Sequence, residues 1–209
     1  METLHKILVS GLNQLNLTLS ESQIHQLLNF IALIEKWNKA YNLTAIRNKE
    51  EMVRLHLLDS LSVAPYVEGK RVIDIGTGAG LPGIPLAICL PDVDFTLLDS
   101  SSKKTRFVQQ VVLELKLKNV IVCTARVESY NPPQLFDAVL TRAFSDLNDI
   151  VKLTAHLLTK SGVLMAMKGQ VPDDLEQFQI VNSVIALNVP GVEAERCLIK
   201  IGPIEEAES

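Results

Sequence analysis

The feature that most constrains this chain is a run of glycines directly after a short apolar segment. Residues 72–75 read as a buried strand that includes Asp74, and glycines follow at alternate positions, Gly76, Gly78 and Gly80. Alternate glycines remove Cβ where the backbone must turn sharply and approach a ligand. In open α/β sheets, ligands bind at the carboxyl ends of strands, which is where this turn falls. The segment therefore predicts an α/β sheet with a ligand site at its edge.

Short β-branched segments alternate with helical stretches from Arg71 onward, which is typical of βαβ units and a parallel sheet. The predicted parallel strands are 71–75, 95–99, 120–124, 136–141 and 163–168. The predicted helices between and after them are 83–90, 103–117, 146–158 and 173–183. Two further strand-like segments, 184–189 and 196–201, stand too close together for a helical crossover, so we expect them to pair antiparallel. The pattern predicts a seven-stranded, Rossmann-like fold with a C-terminal antiparallel hairpin.

Residues 1–68 have a different, helical periodicity. Apolar residues recur at spacings of three and four along the segment after Ser20, at Ile24, Leu27, Leu28, Ile31, Ile34 and Trp37. Ser20 and Gln23 stand at the spacing of a capping box. A further helix is predicted over 50–64, ended by Pro65. We therefore expect an N-terminal helical cap over 1–68 and an α/β domain over 69–209.

Composition limits the classes of protein that the chain can belong to. The 209 residues are 47% hydrophobic and 21% charged, which is ordinary for a globular protein that folds without disulfides. A net charge of −4 argues against non-specific coating of nucleic acid, so any nucleic-acid site must be a local patch. Cys89, Cys123 and Cys197 lie far apart without nearby histidines, which predicts buried thiols and no metal site. With no apolar run of membrane length and no secretory start, we expect a cytoplasmic monomer.

The glycine turn allows two cofactor classes. Residues 78–83 match the GxGxxG pattern, and Asp99 lies about 20 residues on, as in a nicotinamide dinucleotide fingerprint. However, Gly76 and Thr77 separate that pattern from the strand, and the Asp74 carboxylate would repel phosphates. A sulfonium would not be repelled, and a C-terminal antiparallel hairpin is typical of methyltransferases of this architecture. The pattern favours S-adenosylmethionine, with a nicotinamide oxidoreductase as the alternative.

Two carboxylates stand where the rest of an adenosine would lie. Asp99 ends the second strand, where it would accept both ribose hydroxyls or else cap the helix after Ser102. Val127 and Glu128 follow the third strand, and the Glu128 carboxylate would receive the adenine amine or else remain a solvated loop acid. The sequence leaves both alternatives open.

Motifs that the chain lacks limit which kinds of methyl acceptor are possible. The Asn-Pro-Pro run at 131–133 precedes the fourth strand and has no aromatic residue after it, so we interpret it as a turn rather than an amine-methylating loop. None of the cysteines stands on a pocket loop, which argues against carbon methylation of pyrimidines. Arg142 and Lys168 end the fourth and fifth strands, as cations that can meet phosphate or a base edge. These candidate catalytic residues suit an acceptor with a free lone pair, such as guanine N7, that needs only alignment.

Five segments of the chain match the motifs of one known family. They are WNKAYNLTAI at 37–46, HLLDSL at 56–61, DIGTGAGLPGIPL at 74–86, TRAF at 141–144 and MKG at 167–169. Through them the chain resembles the glucose-inhibited division protein B family, also called RsmG, the 16S ribosomal RNA guanine-N7 methyltransferases. The likeness covers nearly the whole length, and Ala79 stands where the family often has proline.

The resemblance implies a fold, a cofactor and a partner. The fold is that of class I S-adenosylmethionine-dependent methyltransferases, and the partner is small-subunit ribosomal RNA or the small ribosomal subunit. By this resemblance the cofactor site comprises Gly76, Leu81, the backbone at Val127 and Glu128, and Arg142, with Asp99 at the ribose. The glycine turn adds Asp74, Thr77, Gly78 and Gly80 to the expected cofactor residues. A ribosome-assembly factor that binds RNA without catalysis is the alternative from another class.

The cap carries two further expectations. His56 and Asp59 share a helix face at i,i+3, and we expect a packed or cap-to-core hydrogen-bonded pair there rather than metal ligands. Five basic residues either extend a surface toward RNA or form a solvated helix face: Lys36, Lys39, Arg47, Lys49 and Arg54.

Overall fold

Seven β-strands form one sheet in the computed structural model, which describes residues 2–142, 146–172, 175 and 181–203. The strands are β1 (Arg71–Ile75), β2 (Asp94–Asp99), β3 (Val120–Thr124), β4 (Phe136–Arg142), β5 (Leu158–Lys168), β6 (Val181–Ala186) and β7 (Cys197–Ile201). Their order is β3-β2-β1-β4-β5-β7-β6. Neighbours among β1 to β5 are parallel, and β7 runs antiparallel to β5 and β6. The predicted sheet of five parallel strands with a C-terminal antiparallel hairpin is confirmed.

The helices of the α/β part follow the predicted positions closely. They are α5 (Gly83–Cys89), α6 (Ser102–Leu115) and α7 (Leu147–Thr154). The prediction carried α7 to residue 158, but a 3₁₀ turn (Ala155–Leu157) follows α7 and β5 begins at Leu158. β5 begins before residue 163, its predicted start, because Leu158 already pairs with Phe136 of β4. A register shift between Phe136 and Ala138 follows this first pair.

The tail of the chain differs from its prediction. Within the predicted helix 173–183, residues 173–174 and 176–180 lie outside the described part, and the last three residues belong to β6. The first hairpin strand is therefore Val181–Ala186 rather than 184–189. The apolar run after Ser183 suggested a later start, but β6 is an edge strand that alternates half-buried and exposed residues, with Val184 on the exposed face. The second hairpin strand was predicted within one residue.

The N-terminal part of the chain consists of helices, as its periodicity predicted. They are α1 (Glu2–Gln14), α2 (Glu21–Tyr41) and a helical segment made of α3 (Lys49–Met52), a π-helix (Val53–Leu58) and α4 (Asp59–Leu61). The capping box is confirmed, because Gln23 donates its backbone N–H to Ser20 Oγ and Ser20 donates its own to Gln23 Oε1. The third helix was predicted to reach residue 64, but it ends at Leu61, and Pro65 lies inside a separate 3₁₀ turn (Ala64–Tyr66).

The cap packs on the helices that cover one face of the sheet. The Trp37 ring lies 5.9 Å from the Phe107 ring of α6, and Gln26 donates from Nε2 to the Leu115 carbonyl at 2.9 Å. Buried residues of the cap and of this sheet face belong to one continuous hydrophobic core. The cap is thereby fixed to the helices on this face of the sheet. The boundary between 1–68 and 69–209 stays a prediction about folding units.

Within the described part of the chain, no helix combines the length and the apolar character needed to cross a membrane.

Candidate cofactor and acceptor site

The glycine turn after β1 is held from inside by Asp74. This side chain is fully buried, and its Oδ2 accepts hydrogen bonds from Thr77 Oγ1 at 2.7 Å and from the Gly83 N–H at 2.9 Å. Gly83 tolerates no Cβ, which would lie 2.1 Å from Leu97 Cδ2. Asp74 therefore ties the end of β1 to the start of α5.

The three glycines of the turn all adopt positive φ, at 66°, 59° and 84° for Gly76, Gly78 and Gly80. Among the described residues, a Cβ added at Gly78 would meet only the Gly76 carbonyl oxygen, 3.8 Å away, so the backbone there faces open space. At Gly80 the Cβ would collide with Ile84 Cγ1 at 2.7 Å. Gly78 therefore forms the floor of a cradle, whereas Gly80 permits close packing.

Burial raises the pKa of Asp74 to about 7, although the bonds from Thr77 and Gly83 oppose this shift. Asp74 Oδ1 has no hydrogen-bond partner among the described residues. The carboxyl is thus only partly ionised near neutral pH, which weakens the prediction that its charge repels phosphates from the turn.

A polar groove of about 300 Å³ runs from the turn along the ends of β2 and β3. We call it the adenosine groove; it is lined by Ile75, Gly76, Leu98, Asp99, Ser100, Lys104, Ala125, Arg126, Val127, Glu128 and Arg142. Asp99 Oδ2 accepts the Gly78 N–H at 2.9 Å, and its Oδ1 accepts the Ser101 N–H at 2.8 Å. The helix-capping alternative is wrong, because Ser101 stands at the N-cap of α6 and no described side chain caps it. Asp99 lines the groove, and its contact with the ribose hydroxyls stays a prediction. Glu128 is exposed in a 3₁₀ turn (Val127–Ser129) on the same groove.

A smaller cavity of about 180 Å³, the turn cavity, lies between the glycine turn and the cap. Its lining is Leu43, Thr44, His56, Gly76, Thr77, Gly78, Ala79, Leu81 and Arg142. It shares Gly76 and Arg142 with the adenosine groove, so the two spaces adjoin.

A third cavity of about 430 Å³ lies on the other side of Arg142. We call it the acceptor cavity; its lining is Ile46, Leu55, His56, Asp59, Arg142, Met167, Lys168, Gly169, Leu187, Arg196 and Cys197. It shares His56 and Arg142 with the turn cavity. Arg142 thus borders all three spaces, and burial lowers the pKa of Lys168 in the wall of the acceptor cavity.

A buried carboxylate of the cap holds two arginines of the sheet. Asp59 is 4% exposed; its Oδ2 lies 3.2 Å from Arg142 Nη1 and its Oδ1 lies 2.8 Å from Arg196 Nε. Arg142 Nη1 also donates to the Leu55 carbonyl at 3.4 Å. The expected cap-to-core contact is therefore confirmed for Asp59, with arginines as its partners.

His56 does not pair with Asp59, because its Nε2 lies 3.0 Å from Thr44 Oγ1 within the cap. Burial and the nearby Arg142 charge lower the pKa of His56 to about 4. The imidazole is therefore neutral at physiological pH. Among the described His, Cys, Asp and Glu residues, no three cluster as a metal site would require.

The predictions for the cysteines and for the basic residues of the cap are confirmed only in part. Of the cysteines, Cys197 is buried as predicted, whereas Cys89 and Cys123 are only half-buried. In the cap, Lys49 lies 2.7 Å from Glu35 and Arg54 lies 3.8 Å from Glu50, so both charges are partly neutralised. Lys36, Lys39 and Arg47 are exposed. Ala143 and Phe144 of the fourth-strand motif lie outside the described residues.

Most of the predicted site residues meet in the three cavities. Nine of them line one or more: Gly76, Thr77, Gly78, Leu81, Asp99, Val127, Glu128, Arg142 and Lys168. Asp74 and Gly80 line none of these cavities and instead hold the turn. The sequence reasoning missed Lys104 and Arg196, which line the site from α6 and from the residue before β7. Lys104 was detectable because it falls in the first turn of the helix after Asp99.

A solved methyltransferase shares this fold. The SAM-dependent methyltransferase from Aquifex aeolicus superposes with a TM-score of 0.56 over 71% of this chain and 92% of that chain, at 19% sequence identity. The sheet with its antiparallel hairpin therefore has the fold of class I S-adenosylmethionine-dependent methyltransferases, as predicted.

Two relatives match along nearly their whole length. The ribosomal RNA small subunit methyltransferase G of Chromobacterium violaceum is 51% identical over 205 residues, 95% of this chain and 98% of that protein. The protein of the same name from Nitrosococcus oceani is 50% identical over 202 residues, 94% of each. A sequence profile of the GidB family, described as rRNA small subunit methyltransferase G, matches residues 23–199. The chain belongs to this family.

Family membership confirms the resemblance found in the sequence. Neither the nicotinamide oxidoreductase nor the assembly factor without catalysis is supported by these similarities.

Proposed function

We propose that this chain transfers the methyl group of S-adenosylmethionine to ring N7 of a guanine in 16S ribosomal RNA of the small subunit. One observation carries the proposal. The adenosine groove, the turn cavity and the acceptor cavity meet at Arg142, in a chain of the small-subunit ribosomal RNA methyltransferase family. A donor and an acceptor can therefore lie on either side of one side chain.

The residues present fit the cofactor. S-adenosylmethionine supplies an electrophilic methyl group on a positively charged sulfur. Gly78 offers a backbone surface where a Cβ would fill the cradle, and Asp99 keeps its carboxylate at the ribose position while bonded to the Gly78 N–H. Val127 and Glu128 would border the adenine, with Glu128 accepting its exocyclic amine. Gly76, Thr77 and Leu81 would border the methionine part, beside Arg142.

The acceptor cavity suits a purine that needs no deprotonation. Guanine N7 carries an in-plane lone pair, so the chain has only to hold the base in line and exclude water. His56 is neutral, buried and bonded to Thr44, which fits a wall rather than a general base. Leu55, Met167 and Leu187 offer apolar surface to the faces of a base.

The charges around this cavity suit the positive charge that the guanine ring gains in the reaction. Arg142 and Lys168 would donate to guanine O6, the acceptor next to N7. Methylation leaves the guanine ring positively charged, and cations alone would oppose that step. The Asp59 carboxylate in the same wall offsets them, because it is fixed before the reaction and needs no reorganisation.

The decisive experiment incubates the enzyme and labelled S-adenosylmethionine with small ribosomal subunits that lack the modification. We expect label in 16S ribosomal RNA and strand cleavage by chemistry specific for N7-methylguanine at a single position. Label that survives this chemistry uncleaved would place the methyl group on another atom. Parallel reactions with naked 16S RNA, partly assembled particles and intact subunits identify the preferred substrate.

The monomeric state, the cytoplasmic location and the separate cap stay predictions. Light scattering coupled to gel filtration tests the first, since a monomer of 23.1 kDa is expected.

A further inference from the structure

Arg196 lies at the boundary between the acceptor cavity and a fourth space, which we call the outer cavity. This space of about 380 Å³ is lined, within the described chain, by Gly169, Gln170, Val171, Val184, Ala186, Leu187, Glu195, Arg196 and Cys197. It shares Gly169, Leu187, Arg196 and Cys197 with the acceptor cavity but no described residue with the adenosine groove or the turn cavity. Arg196 is therefore on the side of the acceptor cavity that faces away from the cofactor.

Asp59 sets the position of Arg196 relative to Arg142. Arg142 ends β4 and Arg196 stands just before β7, and each bonds a different oxygen of the same buried carboxylate. Two guanidinium groups around one carboxylate keep a net positive charge, so the wall still attracts an anion. Asp59 is thus a positioning residue for both arginines.

The Arg196 guanidinium keeps donors for a ligand. It carries five N–H groups. Its Nε donates to Asp59 and its Nη1 to the Glu195 carbonyl at 2.7 Å, and no hydrogen bond or ion pair within the described residues involves Nη2. The side chain is 25% exposed, so a ligand can reach it.

We propose that Arg196 binds the backbone phosphate of the nucleotide whose base occupies the acceptor cavity, and that Asp59 holds Arg196 in place for this contact. The inference rests on the proposed function. The reacting base must lie toward Arg142, because Arg142 borders the cofactor spaces. Its phosphate must then leave the cavity on the opposite side, where Arg196 stands. A guanidinium fork matches phosphate oxygens in charge and geometry.

The test compares Arg196→Ala and Arg196→Lys with the wild-type enzyme on unmodified small subunits over a series of salt concentrations. Arg71→Ala is the matched control. Arg71 is a half-buried arginine at the start of β1, so it lies at the amino ends of the parallel strands, away from the cavities at their carboxyl ends. We expect Arg196→Ala to raise KM for subunits about tenfold, as loss of a phosphate contact does, with kcat and cofactor affinity nearly unchanged. The slope of log(kcat/KM) against log salt should become shallower by about 0.7. Arg196→Lys should recover much of the slope, because it keeps the charge.

Two results would overturn this inference. One is an Arg196→Ala enzyme with wild-type KM and salt slope. The other is an equal loss in kcat and in cofactor affinity, which would make Arg196 a support for Arg142 alone. Direct binding of subunits, measured without cofactor, separates this inference from the proposed function. Salt-dependent binding that requires Arg196 in an enzyme that transfers no methyl group would support the phosphate contact and contradict the methyltransferase proposal.

Discussion

Asp99 accepts the backbone N–H of Gly78 at 2.9 Å, so the side chain that ends β2 fixes the cradle that follows β1. Its other oxygen accepts the Ser101 N–H. One carboxylate therefore aligns both strand ends at the point where the adenosine groove meets the turn cavity. Each oxygen of Asp99 accepts one backbone N–H, so a side chain with a single acceptor oxygen should disturb the cradle.

Replacement of Asp99 by asparagine should weaken cofactor binding. An amide offers one acceptor oxygen, so one of the two N–H groups would face an NH₂ group. An unpaired buried donor costs about 1–3 kcal/mol, and we expect the Kd for S-adenosylmethionine to rise about 10- to 100-fold by calorimetry. Asp94→Asn, at the exposed start of the same strand, is the control. Equal affinities for Asp99→Asn and wild type would contradict the role of Asp99.

Gly78→Asp should abolish cofactor binding while the protein still folds. Aspartate tolerates positive φ better than most residues, but its side chain would occupy the cradle and bring a second carboxylate beside Asp99. Gly191→Asp carries the same side chain at another glycine of positive φ, 73°, outside the three cavities. Calorimetry should show binding for the control and none for Gly78→Asp. Binding by both variants would remove the turn from the cofactor site.

Arg142→Ala should reduce methyl transfer severely without unfolding the chain. The variant loses the donor at the junction of the three cavities, and removal of one such charge-stabilising group commonly costs about 10²- to 10³-fold in turnover. Arg196 remains as the partner of Asp59, so the thermal midpoint should fall only modestly. Single-turnover kinetics and thermal unfolding give the two readouts. Undiminished turnover would exclude Arg142 from the reaction.

Stability should depend on the ionisation of Asp74. Its pKa is raised from 3.8 to about 7 in the folded chain, so the folded state holds the proton more tightly than the unfolded state does. This stabilising contribution is complete below pH 3.8 and is lost as the pH rises through 7. Asp74→Asn cannot ionise, so its free energy of unfolding should lack this component.

Chemical denaturation of the wild type and Asp74→Asn from pH 5 to 8 checks this prediction. As the pH rises, the free energy of unfolding of the wild type should fall relative to that of Asp74→Asn. A difference that is constant with pH would show that Asp74 ionises with an ordinary pKa.

The strands and the glycine turn could be predicted because their signals are local. β1 and β3 fall on their predicted bounds, since each is a short β-branched run between polar turns. β6 was misplaced because an edge strand with one exposed face has no continuous apolar run to mark its start. The break between α7 and β5 was missed because the ladder contact of Leu158 with Phe136 decides it.

Candidate site residues could be predicted where they end a strand or lie in the loop after one. Asp99, Arg142 and Lys168 end strands, Glu128 lies in the turn after β3, and all four line the cavities. Their roles stay predictions. Arg196 was missed because its partner, Asp59, lies 137 residues earlier in the chain. Only the packing of the cap on the sheet brings these two side chains together, and no spacing pattern in one sequence encodes that contact.

The π-helix at Val53–Leu58 gives the cap one residue to spare ahead of Asp59. Such a turn holds one residue more than the α-helix it interrupts. Loss of one residue from this segment would restore regular winding and leave Asp59 facing both arginines, because the shorter α-helical segment turns through nearly the same angle. Loss of a second residue would turn Asp59 by about 100° around the helix axis and break both ion pairs. The contact of Asp59 with the two arginines therefore limits how many residues this segment can lose.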